Sequence, residues 1–435
     1  MKRIMGITLA LMLSLVPITE TASLAFSDEP ALGILKGSQP LEPALLSGQG
    51  RPARPPAHTL RPIAPVVIGA QQQSAENLEK VGILLFRKAE PTVPSQAAVL
   101  LEATTGRVLY EKDAHARRPM ASTTKVMTCY LALEYGNLDA MVKIPDAAIG
   151  VEGSSMYLRA GETLSLRDLL YGLMLLSGND AAVAIAIHIA GSVPDFAALM
   201  NERARGLGCQ NTNFVTPNGL PDPNHYTTAY DLALICATAM QDARFAQIVG
   251  TQYYQTQTGA YARKLKNKNK ILWEYEGGNG IKTGFTKAAG KCLTFAAKRD
   301  NLQLVGAVLA SSDTWGSAKD LLSFGFNQVE LQTLVDFSDP VATLTVLGSE
   351  TTELPVYAGR RLFYPIKKDG SDTVRVDMQL ASSVLAPVTA GQTVGQIYLF
   401  VNETVVAQTE LITHESAGRL DFQYYLERLI EGWIS

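Results

Sequence analysis

The apolar positions of this chain change period several times, and each change predicts a boundary. In AAVLLEATTGRVLYEKD, residues 97–113, two β-rich runs flank Thr-Thr-Gly and predict a hairpin. Helical spacing follows in ASTTKVMTCYLALEYG, residues 121–136, with Pro119 just ahead of it, where a proline costs little. In SLRDLLYGLMLL, Ser165 stands three residues before Asp168, an acidic variant of the capping pattern, so a helix starts there and stops at Ser177-Gly178-Asn179-Asp180. DAAVAIAIHIAG, residues 180–191, is apolar on nearly every side and must be buried as a helix. PDFAALMNERARGLG and the long run TAYDLALICATAMQDARFAQIVG continue the helical texture.

After Gly250 the pattern turns to strands: IKTGFT, KCLTFAAK and LQLVGAVLASS, the last two joined by a turn at Arg299 to Asn301. AKDLLSFGFNQV closes the segment as a helix. Strands at both ends with helices between them predict an α+β domain over residues 95–335, its sheet joining the two ends around a helical insert. From 336 to 415 short alternating runs, VATLTVL, TVRVDMQL and QIYLFVN, are separated by Gly, Asp and Ser and predict a small all-β domain. Residues 417–435 return to helical spacing. Leu420, Phe422, Tyr425, Leu426, Leu429, Ile430, Trp433 and Ile434 make one broad apolar stripe opposed by charged residues. Such a stripe fits an amphipathic helix lying in a membrane interface, or one packed on the β domain.

The N-terminus has a different character. A basic Met-Lys-Arg start, an apolar core and Ser-Leu-Ala before residue 26 read as a signal peptide over 1–25, so export is expected. Residues 26–94 hold nearly half of the chain's 21 prolines and read as a linker. Across all 435 residues, 38 Lys and Arg against 41 Asp and Glu give a formal charge of −3, which offers no reason to expect nucleic acid as a partner. Cys129, Cys209, Cys236 and Cys292 show neither a C-x-x-C pair nor Cys/His metal spacing, so no metal is expected. Export leaves up to two disulfides open; the spacing of Cys129 from Ser122 favours a buried thiol.

One cation breaks the apolar pattern. Lys125 lies three residues after Ser122, so on a helix the two share a face and the amine reaches the hydroxyl. A serine hydroxyl becomes a nucleophile when a base takes its proton, and lysine serves as that base once its pKa falls far below ~10.4. Alone, S-x-x-K is weak. Two triplets strengthen it: Ser177-Gly178-Asn179 in a loop between helices, and Lys282-Thr283-Gly284 on a strand where glycine permits close backbone approach. Lys282 also supplies a second cation to depress Lys125.

The set resembles the penicillin-recognising serine enzymes, with their S-x-x-K, S-x-N or S-D-N, and K-T-G signature. ASTTKVMT, LLSGNDAA, LGCQNTNFVTPNGLPDPNHYTTAYDLALI and GIKTGFTKAAGKCLTFAAKRD are similar to the low-molecular-mass penicillin-binding proteins acting as D-alanyl-D-alanine carboxypeptidases, peptidase family S11. The likeness runs from about Ala97 to Phe326 and extends more loosely to the β domain and tail. It implies the serine β-lactamase/DD-peptidase-like fold, an antiparallel sheet with helices and a helical insert, followed by the C-terminal all-β domain. It also implies hydrolysis of the terminal D-alanine from peptidoglycan stem peptides without a cofactor, acylation by β-lactams, and a tail at the outer face of the cytoplasmic membrane. Carried onto matched positions, the nucleophile is Ser122 and the general base Lys125. Ser177 relays a proton, and Asn179 holds the substrate amide. Lys282, Thr283, Gly284 and Phe285 line the substrate strand, with the N–H groups of Ser122 and Phe285 as oxyanion hole.

One departure stands out. The family often places an arginine after the strand ending in LVGAVLASS to meet the substrate carboxylate. SSDTWGSAKDLL has none, and Trp315 stands near its place. A class A β-lactamase, the rival within the group, needs a deacylating carboxylate in a loop between the second and third motifs. The glutamates in that interval, Glu202, Glu274 and Glu276, fall on a helical pattern or directly before the KTG strand. A catalytically dead wall-binding protein would not need every motif residue. His188 is expected as a core histidine, and His225 in a polar loop at the cleft rim. The run RKLKNKNK reads as a hairpin with exposed lysines.

Overall fold

The structure, a computed structural model, describes residues 90–434. The expected signal peptide at 1–25 and nearly all of the 26–94 linker lie outside the described residues. Five strands form the catalytic sheet: β1 (Ser95–Glu102), β2 (Val108–Lys112), β3 (Gly278–Thr286), β4 (Gly290–Arg299) and β5 (Leu302–Ser311). They lie in the order β2-β1-β5-β4-β3, every pair antiparallel, so the first hairpin meets the last strands across the helical insert. Strand β3, which carries the KTG triplet, is an edge.

The two faces of the sheet explain its unbroken apolar runs. Ala97, Val99 and Leu101 on β1 face one core, with Leu232 and Ala233 of α5 (Ala229–Ala239). Ala98 and Leu100 face another, with Leu321, Leu322 and Phe326 of α7 (Thr314–Gln328). A strand buried on both faces reads as continuous apolar sequence. The insert contributes α1 (Lys125–Tyr135), α2 (Leu166–Tyr171), α3 (Asn179–Ala190), α4 (Val193–Gly206) and α6 (Ala243–Gly250), gathered around the largest core. Ser165 caps α2 as its sequence predicts, its Oγ accepting the Asp168 N–H at 3.1 Å. A wide helical turn over Gly172–Leu176 then carries the chain to Ser177, whose φ of 66° ends the helix.

Several expectations change. The run 228–250 is two helices, because the chain turns at Met240–Asp242 and Asp242 caps α6. His188 is exposed: burial in α3 ends at Ala186, and the last turn emerges into solvent. Only Lys264–Lys266 of the basic run pairs as a hairpin strand, with Tyr253–Gln255. Beyond it Asn267 and Asn269 are buried. All four cysteines are free and buried, and burial raises each thiol above its ordinary range, so none has thiolate character.

The C-terminal domain is a six-stranded sheet and a two-stranded pair around Leu344, Val356, Leu399 and Leu411. Strand Val329–Val335, which the expected boundary at 335 leaves with the catalytic segment, pairs with Leu362–Lys367 of this domain. Arg107, in the β1–β2 turn, forks onto Asp372 with two 2.8 Å bonds and also donates to the Pro365 carbonyl. The tail helix, α8 (Phe422–Ile434), starts five residues later than the expected segment, since Ala417 is still bridged to Val388. Its stripe is not covered by the β domain: Phe422 is 82% and Trp433 90% exposed. Among the described residues no single helix is long and apolar enough to cross a membrane.

Candidate active site

The turn Ala121–Thr124 that precedes α1 puts Ser122 beside Lys125, and Thr124 Oγ1 locks it with two hydrogen bonds. Ala121 has φ 49°, a left-handed conformation that a non-glycine residue holds only when its surroundings impose it. Thr124 Oγ1 donates to the Ala121 carbonyl at 2.8 Å. His225 supports it from behind. Its Nδ1 accepts the Val215 N–H at 2.9 Å, so Nε2 carries the proton and donates to Thr124 Oγ1 at 2.7 Å. Burial pushes His225 down to about 4, keeping it neutral at working pH. The histidine expected at the cleft rim is therefore a buried brace of the nucleophile turn. Gly219, with φ 85°, allows the loop carrying it to pass, since a Cβ there would lie 1.9 Å from the Ala121 carbonyl oxygen.

Lys125 is fully buried. Its Nζ lies 2.6 Å from Asn179 Oδ1, 2.6 Å from the Asn218 carbonyl and 2.9 Å from Ser122 Oγ. Burial lowers its pKa well below the ordinary lysine value, with the cations of Lys282 and Lys268 adding to the effect and Asp180 opposing it. A neutral amine has two hydrogens and one lone pair. The two carbonyl oxygens take the hydrogens, so the lone pair is left for the Ser122 hydroxyl. That is the arrangement of a general base.

Asn179 and Ser177 arrive together at the start of α3. Asn179 Nδ2 donates to the Glu152 carbonyl, while its Oδ1 holds Lys125. The side chain thus orients the base, and one N–H and one lone pair remain for a substrate amide. Segment 152–158 is held over this corner by Asp180, which accepts from Ser155 Oγ and the N–H groups of Met156 and Leu158. Sequence reasoning missed this support, though Asp180 directly follows the SGN triplet.

Across the cleft, β3 runs beside the nucleophile turn. A Cβ on Gly284 would come within 3.2 Å of the Ser122 nitrogen, a tight contact that would push the turn back by a few tenths of an ångström. Both backbone groups of Lys282 meet Thr294 Oγ1 on β4. Alternation then turns the N–H and C=O of Thr283 and Phe285 to the open edge. The Phe285 N–H therefore faces the cleft near the Ser122 N–H, and the free edge can pair with an extended peptide. Lys282 is buried, donates to the Thr283 carbonyl at 3.1 Å and is pushed down to about 7 by burial and then by Lys268.

Lys268 is the residue the sequence reading overlooked. Lys268 is exposed, as are Lys264, Lys266 and Lys270, in line with the expectation for this run, and its Nζ donates to the Leu176 carbonyl at 2.9 Å, next to Ser177. Buried Asn267 fixes its position by donating to the Val249 and Thr251 carbonyls. Trp315, which stands near the place of the absent arginine, packs against the core beneath α7, and Asp313 caps that helix through Gly316 N.

Comparison with known proteins agrees with this geometry. A family model described as D-alanyl-D-alanine carboxypeptidase matches residues 85–313, and one described as penicillin-binding protein 5, C-terminal domain, matches 330–419. The D-alanyl-D-alanine carboxypeptidase DacF of Bacillus subtilis is 30% identical over 357 residues, covering 80% of this chain and 92% of that protein. Penicillin-binding protein 5 of Haemophilus influenzae superposes with a TM-score of 0.63 at 30% identity, over 76% of this chain and 99% of that one. A mutant of the Streptomyces K15 DD-transpeptidase, 35% identical, superposes with a TM-score of 0.52 over 54% of this chain and 99% of its own.

Proposed function

The chain belongs to peptidase family S11, the D-alanyl-D-alanine carboxypeptidases, and is a serine-type hydrolase of that kind; we propose that Ser122 is its nucleophile, Lys125 its general base and Ser177 its proton relay. The family acts on peptidoglycan peptides and binds β-lactams. One observation carries the assignment of the base: two carbonyl acceptors on Lys125 Nζ leave its lone pair facing Ser122.

A stem peptide lies along the free edge of β3 with its penultimate D-alanine carbonyl at Ser122. Lys125 takes the hydroxyl proton as Oγ adds to the carbonyl carbon, and the N–H groups of Ser122 and Phe285 hold the oxyanion. The proton passes from Lys125 through Ser177 to the leaving nitrogen, and the C–N bond breaks to release D-alanine and an ester on Ser122. Water, deprotonated by Lys125, then hydrolyses the ester. The carboxylate of the leaving residue faces Lys268 and Thr283 Oγ1, with Lys282 behind them, in place of the absent arginine. β-Lactams enter the same sequence. Among the described residues Lys125 Nζ contacts Ser122, Asn179 and Asn218, and Glu274 is paired with Lys319.

The likeness to the Streptomyces K15 DD-transpeptidase supports a second acceptor besides water, an amine. Incubating the protein with a diacyl-lysyl-D-Ala-D-Ala peptide, with and without glycine, tests both. D-Alanine release without glycine is the expected result; release only when glycine is present would assign a transpeptidase.

We further propose that the protein is exported with residues 1–25 removed, and that α8 lies in the outer leaflet interface of the cytoplasmic membrane. The exposure of Phe422, Leu429 and Trp433 along one stripe supports this reading.

A further inference from the structure

Segment 152–158 grips Asn179 at two points and has no part in the scheme above. The Ser154 carbonyl accepts the Asn179 N–H at 2.7 Å, and the Glu152 carbonyl accepts from Asn179 Nδ2. Gly153 lies between them with φ 94°, and a Cβ there would stand 2.8 Å from Asn179 Nδ2. A carbonyl can only accept, so Glu152 selects which end of the amide faces Lys125. With Oδ1 toward Lys125 Nζ, the amide takes an amine hydrogen and leaves the lone pair to Ser122. The flipped amide would offer N–H to that lone pair and set Oδ1 against the Glu152 carbonyl. Glu152 therefore acts on the base through Asn179.

The segment is itself held from two sides. Between buried Met156 and Leu158, Tyr157 is 81% exposed with φ 60°, a conformation that tyrosine keeps only under constraint. Asp180 accepts the N–H groups of Met156 and Leu158. Arg263 takes the carbonyls: its Nε donates to Met156 at 2.9 Å and its Nη2 to Tyr157 at 3.0 Å. The same Nη2 meets Glu162 Oε1 at 2.6 Å, and both side chains are nearly buried. Arg263 stands on a fixed base. Its N–H donates to Thr256 Oγ1 at 2.8 Å, and Asp168 of α2 accepts the Tyr254 hydroxyl and the Thr258 N–H from the same hairpin.

We propose that Arg263 is a positioning residue for acylation: it pins segment 152–158 so that the Glu152 carbonyl keeps the Asn179 amide in the one orientation that leaves the Lys125 lone pair to Ser122. This role rests on Lys125 as the general base, from which its test is separable.

The measurement is the first-order rate of acylation by benzylpenicillin as a function of pH, for the chain lacking residues 1–25. Counting acylable sites by burst titration removes any loss of folded protein from that rate. Arg263→Gln is paired with Glu162→Gln, so that no buried carboxylate is left without its cation. Gly153→Ala disturbs the other end of the grip and leaves the Arg263–Glu162 pair intact. Both variants should slow acylation about tenfold, the scale of one charge-assisted hydrogen bond. Both should also move the acid limb to higher pH. That limb is set by Lys125 losing its proton, and water admitted beside Asn179 relieves part of the burial that holds its pKa down. The charged groups around Lys125 are Lys282 on β3, Lys268 after the hairpin and Asp180 on α3, with neutral His225 behind Thr124. None of these is altered, so the limb reports access of water. Arg263→Lys, which keeps the charge but not the fork, should fall between the unmutated protein and the glutamine pair. An unchanged rate, or a slowed rate with an unmoved limb, in either of the first two variants would overturn the proposal. An unmutated protein that is acylated without any acid limb would overturn Lys125 as the base instead.

Discussion

At the scale of residues, the site depends on which amines hold a proton. Lys125 is kept neutral by burial and by two neighbouring cations, and its two hydrogens are committed to Asn179 and Asn218. Lys125→Arg preserves charge but cannot present a lone pair, so acylation by penicillin should fall by at least 10²-fold, the lower end of general-base contributions. Stopped-flow acylation rates check this. Lys282 is poised differently. It is pushed down to about 7, so its ammonium is lost as pH rises through that value. KM for a peptide ending in a free carboxylate should therefore rise across neutral pH, while that of the C-terminal amide stays flat. Lys268→Gln should lower kcat/KM for the acid by about tenfold, leave the amide unchanged and be rescued by Lys268→Arg. A loss shared equally by acid and amide would make Lys268 a structural lysine. Of the motif residues named from sequence, Lys125 is bonded to Ser122 and Asn179, and Gly284 lies against the Ser122 turn. Lys268 and His225 were not legible there, because their roles come from segments folded against the motifs and neither carries a motif of its own.

At the scale of elements, the order of strands and helices was legible because the hydrophobic period separates them. Residues 278–311 alternate or run apolar between turn residues and form β3, β4 and β5. Legibility failed where a tertiary contact sets a boundary. Val329–Val335 looks like an extension of the catalytic segment, but its partner is Leu362–Lys367, a pairing no local pattern records. The break at Met240–Asp242 was hidden for the same reason, since both helices carry continuous apolar spacing. Arg107 ties the β1–β2 turn to the C-terminal domain. Burial pushes the Asp372 carboxyl up, yet the Arg107 guanidinium, the Lys367 N–H and Asn402 hold it down at about 2. Its folded value lies below the unfolded value of ~3.9, so this pair contributes stability above pH 4 that is lost as pH falls toward 2. Arg107→Ala leaves Asp372 buried and unpaired, and should cost about 3 kcal/mol at pH 7. Urea melts at pH 7 and pH 3 check it: the loss should shrink at the lower pH, and an equal loss at both would remove the ion pair from the account.

At the scale of the whole molecule, the sequence pattern left the tail with two readings. On α8, Phe422, Tyr425, Leu426, Leu429, Ile430 and Trp433 are exposed, so the β domain does not cover them, and vesicle binding tests the proposed interfacial helix. With mixed charge on its polar face, binding to vesicles should depend on apolar area and persist in high salt. Phe422→Asp with Leu429→Asp should release the protein from sedimenting vesicles without changing hydrolysis of a soluble peptide. Release of the unmutated protein by salt alone would contradict the interfacial helix. The central claim, that Ser122 attacks with Lys125 as its base, has a more direct test. It is the intact mass of the protein after exposure to benzylpenicillin, for the unmutated chain and for Ser122→Ala. One covalent adduct on the unmutated protein and none on Ser122→Ala is the predicted result; an adduct that persists in Ser122→Ala would place the nucleophile elsewhere.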